Sequence, residues 1–288
     1  MPERSEIVNE EATLRQERAI KNVQEISKKL ADAAMDSAKI AENQDMHLDS
    51  TETLSVKLSV GESHRPHCDQ DSVLVDEVNQ VFGVFDGMGG AGGDPREAAD
   101  IARDVFSGMS HSLSTPDEVQ KSMEHLLKAA HHQIMATAEY NSDERLCMTG
   151  GTTATVAKII QHDNTQYLVW VSVADSRIYL DKEPKNASFI PEQLSADEGY
   201  GSTVTNCLGH SNDSYSGLSQ KGIIEIEVGD RVILCTDGIT GDLDKTIIEA
   251  SELKKIMSHC DAAQDVADEL VKCARKNDDR TVIVIDLK

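Results

Sequence analysis

The stretch VFGVFDGMGG, residues 81–90, combines a short apolar run with a carboxylate and closely spaced glycines. A second apolar run covers Ser72–Asp76, and the residues Glu77-Val78-Asn79 between the two runs suit a turn. This pattern predicts a β-hairpin whose second strand covers Val81–Asp86. Asp86 stands at the end of that strand, where a buried carboxylate is costly unless it is paired or bound to a metal.

Other aspartates also stand at the ends of apolar runs that predict strands. Asp237 follows Val232–Thr236, and Asp175 follows a run that ends at Val173-Ala174. The acids that precede predicted strands are Asp71, Asp278 and Asp279. If several of these strand ends converge, they form a cage of hard oxygen ligands. Because the cage contains no His or Cys, it favours Mg²⁺ or Mn²⁺ over zinc.

A glycine follows two of these acids, at Gly87 and Gly238. Glycine lets the backbone approach a metal or substrate closely and permits a positive φ. The alternative is that each Asp-Gly pair is only a turn signal.

Residues 52–288 alternate short strands with longer helical segments. Helices are predicted over Pro95–Met109 and Pro116–Tyr140, and near residues 246–257 and 261–276. The other predicted strands are Thr53–Val60, Thr152–Ile160, Gln166–Ala174, Arg177–Leu180, Ile223–Val228, Arg231–Thr236 and Thr281–Leu287. Turns at Asp163-Asn164 and Gly229-Asp230 indicate antiparallel hairpins. The fold class is therefore α+β, with helices on the outer faces of antiparallel sheets.

Composition excludes several classes of function. The net charge of −23 argues against a nucleic-acid or anionic-membrane partner. We expect no secretory signal and no membrane span, and therefore a cytoplasmic protein. The six cysteines form no C-x-x-C pair, which favours reduced thiols over a zinc knuckle or a redox motif.

Residues 1–50 differ from the rest of the chain and are predicted to be a separate N-terminal extension. Apolar residues at helical spacing predict one long amphipathic helix, and they are Ile20, Val23, Ile26, Leu30 and Ala34. Its apolar stripe has two explanations. It packs on the main domain of residues 51–288, or it binds a partner or a second copy through a coiled coil.

Six motifs, in this order, resemble those of the metal-dependent protein phosphatases of type 2C (the PPM family) over roughly residues 51–288. They are DQD (69–71), VFDGMGG (84–90), GGTTA (150–154), VADSR (173–177), LCTDG (234–238) and DDRT (278–281). Met88 stands where animal members have a histidine, so the chain resembles the bacterial type. The resemblance implies a four-layer α-β-β-α sandwich of two antiparallel sheets flanked by helices.

The resemblance also implies a centre of two Mn²⁺ or Mg²⁺ ions, with a third in some members. Asp86 corresponds to the bridging ligand, and the Gly87 carbonyl to a further ligand. Asp237 and Asp278, rather than Asp279, correspond to the other carboxylates of the second metal. Asp71 corresponds to an acid that contacts metal-bound water, and Asp175 to a ligand of the third site.

The activity implied is hydrolysis of phosphoserine or phosphothreonine in a phosphorylated protein by a metal-activated water. The catalytic set is Asp86, Asp237 and Arg65, with Arg65 as the phosphate clamp. Arg65 lies six residues before Asp71, one more than in relatives, which a one-residue bulge would accommodate. Residues 182–222 correspond to the flap beside the site and form only a weak motif, and Ala174 replaces the family's glycine. Two alternatives stay open: a pseudophosphatase that regulates a partner through its N-terminal helix, and a small-molecule phosphomonoesterase.

Overall fold

The structure is a computed structural model of the chain. It describes residues 58–65, 67–89, 93–109, 113–137, 150–186, 188, 190–200, 203–210, 215–217, 219–242, 245–246, 248 and 250–288. The helix predicted within residues 1–50 lies outside these ranges.

Two five-stranded antiparallel sheets form the centre of the fold. The first has the order β13-β7-β6-β3-β2. Its strands are β2 (Ser72–Asp76), β3 (Val81–Phe85), β6 (Ala154–His162), β7 (Thr165–Val173) and β13 (Gln220–Ile226). The second has the order β1-β17-β14-β8-β9. Its strands are β1 (Leu58–Arg65), β8 (Arg177–Asp181), β9 (Glu192–Gln193), β14 (Arg231–Cys235) and β17 (Arg280–Leu287).

Shorter strands lie near the ends of these sheets. A small sheet of order β12-β5-β4 joins β4 (Gly87–Met88), β5 (Gly151–Thr152) and β12 (Leu208–Gly209). Two further hairpins pair β10 (Gly199–Tyr200) with β11 (Thr203–Val204) and β15 (Gly241–Asp242) with β16 (Lys245–Thr246).

Five helices are described. They are α1 (Pro95–Ser107), α2 (Pro116–Ala136), α3 (Asp237–Thr240), α4 (Ala250–His259) and α5 (Ala263–Cys273). Asp94 caps α1 by accepting hydrogen bonds from the Arg96 and Glu97 backbone N–H groups. Thr115 and Glu118 form a reciprocal capping box at the start of α2. Within the described residues, no helix combines the length and the apolar character needed to cross a membrane.

Three apolar clusters hold the layers together. The central cluster takes residues from both sheets, including Phe82, Trp170 and Ile283. A second cluster packs α1 and α2 on the first sheet, with Phe106 and Leu127 among its members. A third packs α4 and α5 on the second sheet. The α+β class and the four-layer α-β-β-α sandwich are therefore confirmed.

The hairpin predicted at Asp163-Asn164 is confirmed as the β6–β7 pair. Asp163 and Asn164 have φ values of 47° and 65°, as a two-residue hairpin turn with positive φ at both positions requires. The hairpin predicted at Gly229-Asp230 is wrong, because β13 pairs with β7 in the first sheet and β14 pairs with β17 and β8 in the second. The chain crosses between the sheets at this turn.

The first strand differs from its prediction over Thr53–Val60, because β1 continues to Arg65. Its full length is paired with β17, from Leu58 opposite Leu287 to Arg65 opposite Arg280. This long-range ladder, rather than local alternation, sets its extent.

Candidate metal centre

The sheet topology brings the strand-end aspartates to one end of the sandwich. Asp71 and Asp86 flank a directly paired position, because Ser72 lies opposite Phe85 in the β2–β3 ladder. In the other sheet, Asp237 follows β14 and Asp278 comes shortly before β17. These two strands are neighbours in the ladder.

Electrostatics show that the acids share one neighbourhood. The pKa of Asp86 is raised well above its ordinary value, first by burial and then by the charges of four other carboxylates. Those four are Asp71, Asp237, Asp278 and Asp175. Every aspartate that the sequence assigns to the metal site therefore acts on Asp86. Such mutual repulsion is expected where several carboxylates are placed to bind the same cation.

Two other members of the group have pKa values near neutrality. Burial, opposed by two threonine hydroxyls and reinforced by Asp279 and Asp237, raises the pKa of Asp71 to about 7. The pKa of Asp175 is also raised to about 7, by burial and by the charges of Asp237 and Asp197. A cation bound beside Asp71 and Asp175 would lower the pKa of both carboxyls. It would thereby remove the free-energy cost of ionising them.

Asp71 has one satisfied and one unsatisfied oxygen. Its Oδ2 accepts hydrogen bonds from the Thr236 hydroxyl at 3.0 Å and the Thr281 hydroxyl at 2.6 Å. Its Oδ1 is buried and has no hydrogen-bond partner among the described residues. An orphaned carboxylate oxygen on a side chain that is 3% exposed fits a site for a cation or its bound water.

Thr153 fixes Asp86 from the adjacent strand. The Asp86 backbone N–H donates to Thr153 Oγ1 at 2.9 Å, and the Thr153 N–H donates to the Asp86 carbonyl at 2.9 Å. The Thr153 hydroxyl also bonds the Ser176 hydroxyl at 2.7 Å, next to Asp175. The GGTTA motif therefore holds the backbone of the site.

The glycines after Asp86 and Asp237 are required by close packing rather than by turn geometry. A Cβ on Gly87 would lie 2.4 Å from the Pro95 carbonyl oxygen and 2.5 Å from that of Gln70. A Cβ on Gly238 would lie 1.7 Å from the carbonyl oxygen of Asp279. Neither glycine has a positive φ. Gly238 thus lets the chain after β14 touch the chain before β17, which brings Asp237 towards Asp278.

Asp279 organises the loop that carries Asp71. Its carboxylate accepts hydrogen bonds from four consecutive backbone N–H groups, those of His67, Cys68, Asp69 and Gln70. Burial would raise the pKa of Asp279, but these donors outweigh it and the pKa lies below its ordinary value. Sequence analysis assigned Asp279 no role, because its partners lie more than 200 residues away along the chain.

A lysine that sequence analysis also missed lies among the acids. The Lys276 ammonium forms ion pairs with Asp237 Oδ2 and, at 3.0 Å, with Asp278 Oδ2. In the described part of the chain, no three His, Cys, Asp or Glu side chains form a group arranged to hold a metal ion. The carboxylate oxygens of the site are nevertheless the donors that Mg²⁺ and Mn²⁺ favour. Lys276 neutralises part of their negative charge.

Arg65 lies at the last position of β1, opposite Arg280, and its side chain is exposed. The β1–β17 ladder is continuous through this position, so the expected one-residue bulge is absent from the described strand. In the loop after β1, Asp69 has a φ of 58°, in the left-handed region. Among the described residues, the Arg65 guanidinium has no ion-pair or hydrogen-bond partner.

The segment expected to be the flap is joined to the loop of Asp175 by polar contacts. Arg177 binds Asp197 through two hydrogen bonds of 2.8 and 2.6 Å. Glu198 accepts a hydrogen bond from the Ala174 N–H at 3.1 Å, and its own N–H donates to the Ala174 carbonyl at 3.0 Å. These contacts hold Ala174 at a φ of 81°, in the left-handed region that favours glycine.

The substitution Ala174→Gly should raise the free energy of unfolding by roughly 0.5–1 kcal/mol. The left-handed conformation costs a Cβ-bearing residue about 1–2 kcal/mol, and the greater freedom of glycine in the unfolded chain returns part of that gain. Denaturant unfolding measures the difference. Ala157→Gly, in the buried part of β6, is the control and should destabilise. A loss of stability in Ala174→Gly as large as that of the control would contradict the strain.

Asp278→Asn and Asp279→Asn should differ in what they change. An amide at position 279 places an N–H₂ group against backbone donors, so we expect a loss of roughly 1–3 kcal/mol of stability. Asp278 is 36% exposed, and its replacement should mainly weaken Mn²⁺ binding. Denaturant melts without metal and Mn²⁺ titrations separate the two effects. Wild-type stability in Asp279→Asn would show that the four contacts do not hold the loop.

Comparison with known proteins agrees with this architecture. The family of stage II sporulation protein E (SpoIIE) matches residues 217–288. Comparison with curated proteins finds no match in sequence. The fold is similar to that of the S. agalactiae serine/threonine phosphatase, with a TM-score of 0.64 and 17% identity over 81% of this chain and 100% of that one.

Two further solved structures show the same similarity. One is the Mycobacterium tuberculosis serine/threonine phosphatase PstP/Ppp, with a TM-score of 0.60 and 18% identity over 80% of this chain and 99% of that one. The other is PppA of Pseudomonas aeruginosa, with a TM-score of 0.59 and 17% identity over 81% of this chain and 100% of that one. The resemblance to bacterial serine/threonine phosphatases is therefore confirmed in the fold of the chain, and the SpoIIE family matches its last quarter in sequence.

Proposed function

We propose that this chain is a metal-dependent protein serine/threonine phosphatase that uses Mn²⁺ or Mg²⁺. The observation that carries the proposal is the convergence of four other strand-end aspartates on Asp86, whose charges all raise its pKa. Buried acids of one sign are costly, and a pair of divalent cations is the partner that their oxygen chemistry favours.

The residues that would hold the metals follow from this placement. Asp86, the Gly87 carbonyl, Asp237 and Asp278 are the residues that we propose would hold the metal ions. Asp71 is proposed to hold a water of the centre through its unsatisfied Oδ1, and Asp175 to serve a third, weaker site. When bound, such ions supply Lewis acidity that activates water and offsets the charge of a phosphate.

The surrounding residues would hold the proposed metal ligands in position. Thr236 and Thr281 fix the Oδ2 of Asp71, which leaves the buried Oδ1 for a ligand. Thr153 fixes the backbone of Asp86. Asp279 holds the loop between Arg65 and Asp71 against the start of β17. Threonine hydroxyls and backbone N–H groups therefore position the carboxylates.

Arg65 is the proposed contact for the substrate phosphate. Its exposed side chain ends the strand that precedes the loop of Asp71, and its position opposite Arg280 puts it at the same end of the sheet as Asp278. A cation there would draw a phosphate of roughly −2 charge towards an acidic chain. Met88 carries no ionisable group, so a side-chain acid for the leaving group is not proposed at that position.

A protein substrate is supported by the similar structures, whose names describe serine/threonine phosphatases. A cytoplasmic location is proposed as well. The five described cysteines are free thiols, as a reducing compartment would leave them.

Purified protein should release phosphate from phosphothreonine peptides and p-nitrophenyl phosphate in the presence of Mn²⁺, and chelator should stop the reaction. Asp86→Asn and Asp237→Asn should each lower kcat by more than ~100-fold, as expected when a group that stabilises transition-state charge is lost. Asp163→Asn, at the exposed β6–β7 turn, is the matched control and should keep wild-type activity. Phosphate release from a panel of phosphoserine, phosphothreonine and phosphotyrosine peptides gives the measurement.

Each alternative has its own outcome in this assay. Hydrolysis of small phosphomonoesters without any phosphopeptide would favour the small-molecule enzyme. A folded protein that hydrolyses nothing with either metal would favour the pseudophosphatase. Full activity in chelator, or in Asp86→Asn, would contradict a metal centre at these residues.

A further inference from the structure

Lys276 lies between two of the proposed metal ligands. It follows α5 in the connection to β17, and its side chain is only 15% exposed. Its Nζ contacts Asp237 Oδ2 and lies 3.0 Å from Asp278 Oδ2. One ammonium therefore joins the two carboxylates that would complete the second metal site.

The charge of Lys276 also reaches a third member of the group. The pKa of Asp175 is raised by burial and by Asp237, and Lys276 is the cation that opposes this rise. Lys276 thus lowers the repulsion among Asp175, Asp237 and Asp278. A divalent ion bound by the same carboxylates would have the same electrostatic effect.

The backbone of Lys276 is anchored in this position. Arg280 donates two hydrogen bonds to the Lys276 carbonyl oxygen, from Nε at 3.2 Å and from Nη2 at 2.7 Å. A third, from Nη1 to the Val271 carbonyl oxygen at 3.4 Å, ties the end of α5 to the same guanidinium. Because the backbone is fixed, the four-carbon side chain needs only rotamer changes to enter or leave the site.

We propose that Lys276 is a built-in counter-ion that occupies the position between Asp237 and Asp278 in the metal-free protein and leaves it when a divalent metal binds. This inference rests on the metal centre of the proposed function. A divalent ion bound between Asp237 and Asp278 would repel the ammonium and compete with it for the same two carboxylates, so we expect metal binding to displace it. Lys276 then keeps the empty site assembled and sets the metal concentration at which the site fills.

The direct test is calorimetric titration of Mn²⁺ into wild-type protein, Lys276→Met and Lys276→Arg. Removing the competing charge should lower the Kd for Mn²⁺ by roughly tenfold. This is the same free-energy change as a shift of one pKa unit. Lys276→Arg keeps the charge and should bind Mn²⁺ more weakly than Lys276→Met. Lys272→Met removes an exposed lysine of α5 that pairs with Glu269, and it should leave the affinity unchanged.

A melt in chelator separates competition from a general effect of charge. Without metal, Lys276→Met should melt below the wild type at pH 8, because Asp237 and Asp278 lose their counter-ion. With saturating Mn²⁺ the difference should shrink or reverse. A structural role alone would lower both melting temperatures equally.

A second measurement needs no variant. Acetic anhydride labelling of the wild type, followed by mass spectrometry, should modify Lys276 slowly in chelator and faster in saturating Mn²⁺. Lys272 serves as the internal reference and should react equally in both conditions. Equal labelling of Lys276 with and without Mn²⁺ would show that the ammonium is not displaced.

The outcomes distinguish this inference from the metal centre beneath it. If the wild type binds Mn²⁺ and Lys276→Met binds it equally or more weakly, the counter-ion role is wrong and the metal centre stands. If neither the wild type nor any variant binds Mn²⁺, both the metal centre and the counter-ion role are wrong.

Discussion

Repulsion between carboxylates is the constraint on which the arrangement of this molecule depends. The two sheets place acids from both layers at one end, where burial raises the pKa of Asp71, Asp86 and Asp175. The fold offsets this cost locally. Threonine hydroxyls serve one oxygen of Asp71, and Lys276 joins Asp237 to Asp278. A group of buried charges that offset one another adds nothing to apolar packing. It is the arrangement expected at a functional site that binds cations.

Asp279 shows how a structural acid differs from the acids that are proposed as metal ligands. It lies beside Asp278 in sequence, yet its carboxylate is saturated by four backbone donors, and its pKa is lowered. Asp71, in contrast, keeps a buried oxygen without a partner among the described residues. Hydrogen-bond saturation thus separates Asp279, which holds the chain, from Asp71, which is proposed to face a ligand.

The sequence predicted the class of fold and the acids at the strand ends, because both depend on local patterns. Alternation, turn residues and an aspartate after an apolar run each lie within a few neighbouring residues. Lys276 and Glu198 could not be found in this way. Their importance comes from contacts with Asp237 and Ala174, which only the folded topology brings near them. The end of β1 at Arg65 was missed for the same reason, since its ladder partner is the last strand.

Gly238 and Ala174 also show what could not be predicted from the sequence alone. The sequence left open whether Gly238 marks a turn or a close approach, and the backbone of Asp279 decides for close approach. Ala174 stands where the family has a glycine, and it has a φ of 81° that Glu198 helps to hold. Strain of this kind depends on backbone angles that no residue type specifies on its own.

The most direct test of the central claim is anomalous diffraction from crystals of the protein grown with Mn²⁺. The account predicts manganese peaks in direct coordination with Asp86 and Asp237, and a Lys276 side chain turned away from Asp237. It would be contradicted by crystals that bind manganese only elsewhere, with the Lys276 ammonium still between Asp237 and Asp278.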